Sequence, residues 1–156
     1  MDDPLGIGAP APDFALPGDD GRPIRLSELK GRKIVLYFYP RDDTSGCTRE
    51  AIDFNGLRRE FAGIGADIIG ISADSVASHR KFKKKHGLDF PLLADEQHSA
   101  LEAYGVWVEK SLYGRKYMGV ERTTVLIGAD GLIRQVWRKV KVAGHAAEVL
   151  AAARKL

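Results

Sequence analysis

One side chain in this 156-residue chain is a soft nucleophile, Cys47, and it is the only cysteine present. A thiol attacks as its thiolate, and a free cysteine with a pKa of ~8.5 is mostly protonated at neutral pH, so its surroundings decide its chemistry. Most lone cysteines are small buried hydrophobes. Cys47 follows a polar, turn-rich segment, 41–46, and precedes a stretch in which Ala51, Phe54, Leu57 and Phe61 recur at helical spacing. That spacing predicts a helix with Cys47 in its first turn. Unpaired backbone N–H groups and the helix dipole favour a thiolate there and can hold a polar substrate oxygen. With one thiol, no internal disulfide, multi-thiolate zinc site or dithiol exchange motif can be built. Glu50 stands where a C-x-x-C pair would place its second cysteine.

The string from Pro40 through Thr44 to Cys47 resembles the peroxiredoxin motif P-x-x-x-T-x-x-C at all three defining positions. Further similarity runs along most of the chain: Gly8, Ala11, Pro12 and Phe14 near the start, G-I-S-A-D, P-L-L-A-D, Y-G-V-W, and E-R-T-T-V-L-I followed by A-D-G. The pattern is similar to the bacterioferritin comigratory protein (PrxQ) branch of that family. The resemblance implies a thioredoxin-like α/β fold and a thiol peroxidase without metal or organic cofactor. It implies Cys47 as the peroxidatic cysteine, Thr44 as the hydroxyl that bonds the peroxide, and Pro40 as the shield that keeps water from the thiol. It also implies Arg122 as the arginine that stabilises the thiolate and orients the peroxide. A guanidinium suits that task because it is charged at every relevant pH. Glu50 either orients this arginine or is simply a carboxylate favoured in a first helical turn.

Many relatives in this branch carry a resolving cysteine five residues after the first, or about 36 residues after it; those places here hold Ile52 and Lys83. The expected cycle is therefore of the one-cysteine type. Cys47 attacks a peroxide oxygen of hydrogen peroxide or an organic hydroperoxide, water or an alcohol leaves, and a sulfenic acid forms. An external thiol, supplied by thioredoxin, glutaredoxin or glutathione, then reduces it. Three other uses of the chain stay open at this point. One is a redox sensor or relay that passes the oxidation on, and another is a nucleic-acid module using the basic run 80–86. The third is a cysteine hydrolase with His79, His86, His98 or His145 as base.

The elements that must carry these residues follow from periodicity. Residues 33–39 form a continuous β-branched and aromatic run, as expected of a central strand buried on both faces, and Pro40 stops it. Residues 67–72 read as a second buried strand, followed by an Asp74 or Ser75 cap and a helix to His86 with Gly87 as its stop. A short strand at 90–93 and a short helix at 96–104 come next. Residues 109–121 lack clear periodicity and read as a loop or edge excursion. Arg122 opens a strand, 123–128, that pairs with 132–137 through the Ala129-Asp130-Gly131 turn. Residues 144–156 close the chain as a helix. Near the start, 8–12 is too proline-rich for a helix, 23–26 is a short strand, and Ser27 caps a single turn. The whole predicts one domain, 1–156, with a mixed central sheet flanked by helices.

Composition agrees with a globular chain, at 44% hydrophobic and 29% charged residues. The formal charge of +3 owes much to the 80–86 run, whose simplest reading is a solvated helix face. No apolar stretch approaches the roughly 20 residues that span a bilayer. The Met1 to Pro4 start lacks the charged and apolar regions of a signal peptide, so the expected setting is the cytoplasm, without membrane or nucleic-acid partners, and as a monomer.

Overall fold

The β-branched run at 33–39 becomes the middle of a sheet in the computed structural model, which describes residues 5–156; Met1 to Pro4, read above for a leader, lie outside the described residues. In chain order the elements are β1 (Ala15–Pro17), β2 (Pro23–Arg25), a 3-10 turn (Leu26–Leu29), β3 (Lys33–Phe38), α1 (Ser45–Gly56), α2 (Arg58–Gly63), β4 (Ala66–Ser72) and α3 (Val76–His86). They continue with β5 (Leu92–Ala94), α4 (Ser99–Ala103), β6 (Trp107–Leu112), β7 (Arg115–Val120), β8 (Thr123–Ile127), β9 (Ile133–Trp137) and α5 (His145–Arg154). A five-stranded sheet runs in the order β5-β4-β3-β8-β9. Strand β3 is parallel to β4, as β4 is to β5, whereas β8 is antiparallel to both of its neighbours. The sheet is mixed because α1 and α2 cross over between β3 and β4, while a tight turn returns β8 to β9.

Alternation along β3 divides the core into two layers. Ile34, Leu36 and Phe38 point to the face covered by Phe14, Leu16, Leu101 and Tyr104. Val35, Tyr37 and Tyr39 point to the face covered by Phe54 of α1, Phe61 of α2, Phe82 of α3 and Val149 of α5. Each such side chain, fully buried, contributes roughly 1.5–3 kcal/mol. Cys47 lies in the second layer, so the reacting sulfur hangs from the helical side of the sheet.

Several expectations need correction. The helix predicted through Phe61 is two helices, because Leu57 leaves the helical path with ψ of 7° between α1 and α2. Ser27 does not cap the 3-10 turn; Arg25 holds the cap position without a side-chain bond, and the Ser27 N–H donates to Asp13 Oδ1 at 2.9 Å. Helix α4 is shorter than predicted and begins after His98, whose left-handed φ of 63° breaks the path from Glu96. The segment 109–121 is no loop: β6 and β7 pair in register from Trp107 with Val120 to Leu112 with Arg115, a two-stranded ribbon apart from the main sheet. Both of its faces are largely exposed, so it carries no apolar alternation to betray it.

Helix α3 starts at Ser75, whose Oγ accepts the Ser78 N–H at 3.1 Å, and stops at Gly87 with φ of 61°. Its basic run is partly spent inside the molecule. Lys83 pairs with Asp19 at 3.0 Å and Lys85 with Asp43 at 2.9 Å, while Phe82 is buried. No helix among the described residues is long and apolar enough to cross a membrane.

Candidate active site

Strand β3 ends at Phe38, and the chain turns through Pro40 and Asp42 into α1, with Thr44 in the extended conformation at the N-cap position. Cys47 is the third residue of α1, as the spacing predicted. The first helical bond runs from the Thr48 N–H to the Thr44 carbonyl at 2.8 Å, and no side chain caps the helix. The amides ahead of Thr48 therefore stand outside the helical ladder at the positive end of the dipole. Thr44 is exposed, and its hydroxyl donates to the Arg41 carbonyl at 2.9 Å. With its proton engaged there, Oγ1 keeps lone pairs free to accept from a substrate O–H.

Arg122 arrives from the far side, one residue before β8. Its Nη2 donates to Cys47 Sγ at 3.3 Å and its Nη1 to Glu50 Oε1 at 2.6 Å. Cys47 and Glu50 lie three residues apart and thus on one face of α1, where the planar fork of a guanidinium reaches both. Each is 1% exposed. Burial pushes the Glu50 carboxyl up to about 7, against the pull of Arg122. Its second oxygen, Oε2, has no hydrogen-bond partner, which accounts for the strength of that push. Burial also opposes the charge on Arg122, but Glu50 and Cys47 together outweigh it and hold the guanidinium pKa above its ordinary value. Glu50 Oε1 thus accepts from Arg122 on both sides of neutrality, and adds a full negative charge only above about 7.

Pro40 is half-buried and stands in the wall of a groove of about 370 Å³ with Arg41, Trp107, Lys110, Met118 and Val120. A separate cavity of about 270 Å³, lined by Pro10, Leu26, Ile34 and Leu132 among others, includes none of the five predicted residues. The structure thus joins Cys47, Glu50 and Arg122 directly, sets Thr44 at the head of the same helix, and leaves Pro40 on the rim.

Three features escaped the sequence reading. Gly46 is one: a Cβ there would stand 3.3 Å from Arg122 Nη2, so a side chain would crowd the guanidinium. Its signal was present in the P-x-x-x-T-x-x-C string, but only as an unspecified position. A second is Asp42, which anchors the loop ahead of Thr44. It accepts from Tyr39 Oη at 2.6 Å and from Ser78 Oγ at 2.8 Å, and lies 2.7 Å from His79 Nδ1. His79 Nε2 faces the Leu93 carbonyl at 2.9 Å, and Asp74 Oδ2 accepts the Asp42 N–H at 2.8 Å. Asp42, Asp74 and His79 offer ligand atoms within 4.8 Å of one another, and these bonds already engage them. The third is Lys110, a partly buried cation on the ribbon. Burial and then the Arg122 charge lower its pKa, while the negative charges of Cys47 and Glu121 pull the other way.

The four histidines offered as hydrolytic bases are all engaged elsewhere. His79 is in the Asp42 network, and His86 meets Asp43 at 3.2 Å. His98 stacks on Trp107 with centroids 3.8 Å apart, and His145 Nε2 lies 2.8 Å from Thr124 Oγ1. Arg122 is the partner of Cys47 Sγ, and this is a cation for a thiolate rather than a base.

Residues 7–136 match the model of the AhpC/TSA family. Among curated proteins, peroxiredoxin Bcp of Bacillus subtilis is 51% identical over 146 residues, which cover 94% of this chain and 93% of that protein. Among solved structures, a Xanthomonas campestris bacterioferritin comigratory protein, described with its alkyl peroxide reduction activity, superposes with a TM-score of 0.87 at 45% identity, covering 91% of this chain and 90% of that one. A mutant PrxQ of Xylella fastidiosa superposes with a TM-score of 0.92 at 38% identity over 97% of this chain and 96% of that one. The thioredoxin-like architecture of these structures is that of the present chain.

Proposed function

The chain belongs to the AhpC/TSA family, among its Bcp/PrxQ peroxiredoxins, and we propose that Cys47, Thr44 and Arg122 carry its chemistry, with Pro40 and Glu50 in support. The protein is a thiol-dependent peroxidase, an oxidoreductase whose substrates are peroxides and whose single cysteine fits a one-cysteine cycle. The observation that carries the assignment of residues is the Arg122 fork, 3.3 Å from Cys47 Sγ and 2.6 Å from Glu50 Oε1, at the uncapped start of α1.

The peroxide lies between Thr44 Oγ1, which accepts its O–H, and the amides and guanidinium that face its oxygens. The Cys47 thiolate attacks one oxygen, the O–O bond breaks, and the leaving oxygen takes the electron pair and then a proton. Negative charge moves from sulfur to that oxygen along a path lined by fixed donors, which stabilise it without reorganising. The product is a Cys47 sulfenic acid and water or an alcohol. Arg122 serves both ends of the step, and Glu50 keeps its fork in plane.

A second thiol in the chain is not available to resolve the sulfenic acid. Its reductant comes from outside, as thioredoxin, glutaredoxin or glutathione, and the protein acts as a cytoplasmic monomer. A peroxide-consumption assay with each of the three reductants supplied in turn tests this reading: one of them sustains turnover of hydrogen peroxide or an alkyl hydroperoxide. Consumption with none of them, nor with a small synthetic dithiol, contradicts it.

A further inference from the structure

Three large apolar side chains stand exposed on one face and the tip of the β6–β7 ribbon: Leu112 at 56% and Tyr117 at 47%, which the register sets on the same face as Lys110 and Arg115, and Tyr113 at 97% in the turn; Met118, at 49%, points to the other face. Elsewhere among the described residues such exposure is scattered, at Ile7, Ile52 and Leu156. Clustered exposure of this kind marks a surface meant to be covered. The ribbon is not hydrogen-bonded to the main sheet and packs on the core only at its base, through Trp107 and Val120, so these side chains have no partner in the core.

The patch is continuous with the mouth of the reaction site. Tyr117 shares a groove with Pro40 and Arg41, which begin the loop leading to Cys47, and with Lys110. Lys110 is near enough to feel the charges of Cys47 and Arg122. The surrounding charge is basic. Lys116 pairs with Glu109 at 3.6 Å, while Arg41, Lys110 and Arg115 form no ion pair among the described residues.

We infer that the β6–β7 ribbon is the docking surface for a dithiol protein that reduces the Cys47 sulfenic acid. This rests on the peroxidase reading above. Whatever covers the patch lies beside the one cysteine of a chain that must borrow a thiol to complete its cycle. Tyr113 stands in the turn at the tip of the ribbon, outside the groove that Lys110 and Tyr117 share with Pro40, so a partner that covers the groove and the tip together is a protein surface. Its face is apolar around the reactive cysteine and acidic at the rim, complementing Arg115, Lys110 and Arg41. The step balances without a further reactant. The partner's thiolate attacks the Cys47 sulfur, the S–O bond breaks, and the hydroxyl leaves as water with one proton. The partner's second thiol then attacks its own sulfur in the mixed disulfide, releasing Cys47 as a thiol and leaving the partner oxidised by two electrons.

The test compares a thioredoxin, kept reduced by its reductase and NADPH, with dithiothreitol as reductants of the wild type, Leu112→Ser, Tyr113→Ser and Arg115→Glu. The variants raise the KM for thioredoxin roughly tenfold, the loss expected from one interface anchor, while dithiothreitol-supported turnover and the rate of Cys47 oxidation stay unchanged. The inference is overturned by an unchanged KM, by a fall common to both reductants, or by a wild type that turns over only with small thiols. It is equally overturned if sedimentation shows the patch buried in a wild-type dimer that the variants dissociate. A wild type that consumes no peroxide even with dithiothreitol would instead bring down the peroxidase reading, and this inference with it.

Discussion

Arg122 Nη2 donates to Cys47 Sγ across 3.3 Å, joining the residue before β8 to the first turn of α1 over a sequence separation of 75. The contact depends on β8 lying next to β3, whose end leads into the loop ahead of α1. Sheet order therefore sets the position of the charge that faces the sulfur.

If that charge serves both the thiolate and the leaving oxygen, Arg122→Ala slows Cys47 oxidation by roughly 10²–10³, the usual effect of removing one preorganised donor. Arg122→Lys recovers only part of the rate, because an ammonium cannot bridge Cys47 and Glu50 as a planar fork does. Stopped-flow measurement of sulfenic acid formation checks both. An Arg122→Ala rate equal to the wild type would remove the arginine from the account.

Gly46→Ala separates geometry from stability. Alanine is the better helix former, by roughly 0.8–1.0 kcal/mol in a helix interior and less in a first turn, so the melting temperature should hold or rise slightly. The added methyl meets Arg122 Nη2 at 3.3 Å, a tight contact that shifts the guanidinium by a few tenths of an ångström. Oxidation slows by a few-fold, roughly, since misplacement by a full ångström costs about 10² at a reacting centre and this shift is a fraction of that. A variant as fast as the wild type would show that the guanidinium has room to spare.

Burial raises the Glu50 carboxyl from 4.5 to about 7 in the folded chain, so over that range the folded state holds more protons than the unfolded one. Its effect on stability is thus most favourable at low pH and is lost as pH rises towards 7, by about 3 kcal/mol across the window at 1.36 kcal/mol per pH unit. Glu50→Gln removes this dependence while still offering an acceptor to Arg122. Urea unfolding of both proteins between about pH 4.5 and 8 measures the difference; parallel curves would contradict it.

The Asp42 network tethers the loop that presents Thr44. Replacing His79, which lies 2.7 Å from the Asp42 carboxylate with 0% exposure, by alanine leaves a buried acceptor short of a donor. The expected loss is about 2–4 kcal/mol in stability. Oxidation should slow far less than in Arg122→Ala, because His79 reaches the sulfur only through the loop. Chemical unfolding alongside the oxidation rate tests the separation.

What could be read from the sequence was what is local along the chain. The buried run of β3, the Cys47 helix start and the β8–β9 turn each announce themselves within about ten residues. The β6–β7 ribbon did not, because only its base, at Trp107 and Val120, packs on the core and the rest is exposed without alternation. Nor did the break at Leu57, where Phe54 and Phe61 keep helical spacing across a chain that has already turned. Asp42 and His79 are 37 residues apart and meet only when α3 packs against the helical face, so no spacing rule links them. Thr44, Cys47 and Pro40 came as a contiguous string, whereas Arg122 entered through family resemblance and its distance to the sulfur came only from the fold.

The most direct test of the account is steady-state peroxide consumption by the wild type and Cys47→Ser at equal concentration with the same dithiol. The wild type consumes peroxide and oxidises the dithiol in equal amounts, and the variant consumes it at the rate of the protein-free blank. Turnover by Cys47→Ser at any substantial fraction of the wild-type rate would place the chemistry somewhere other than this sulfur.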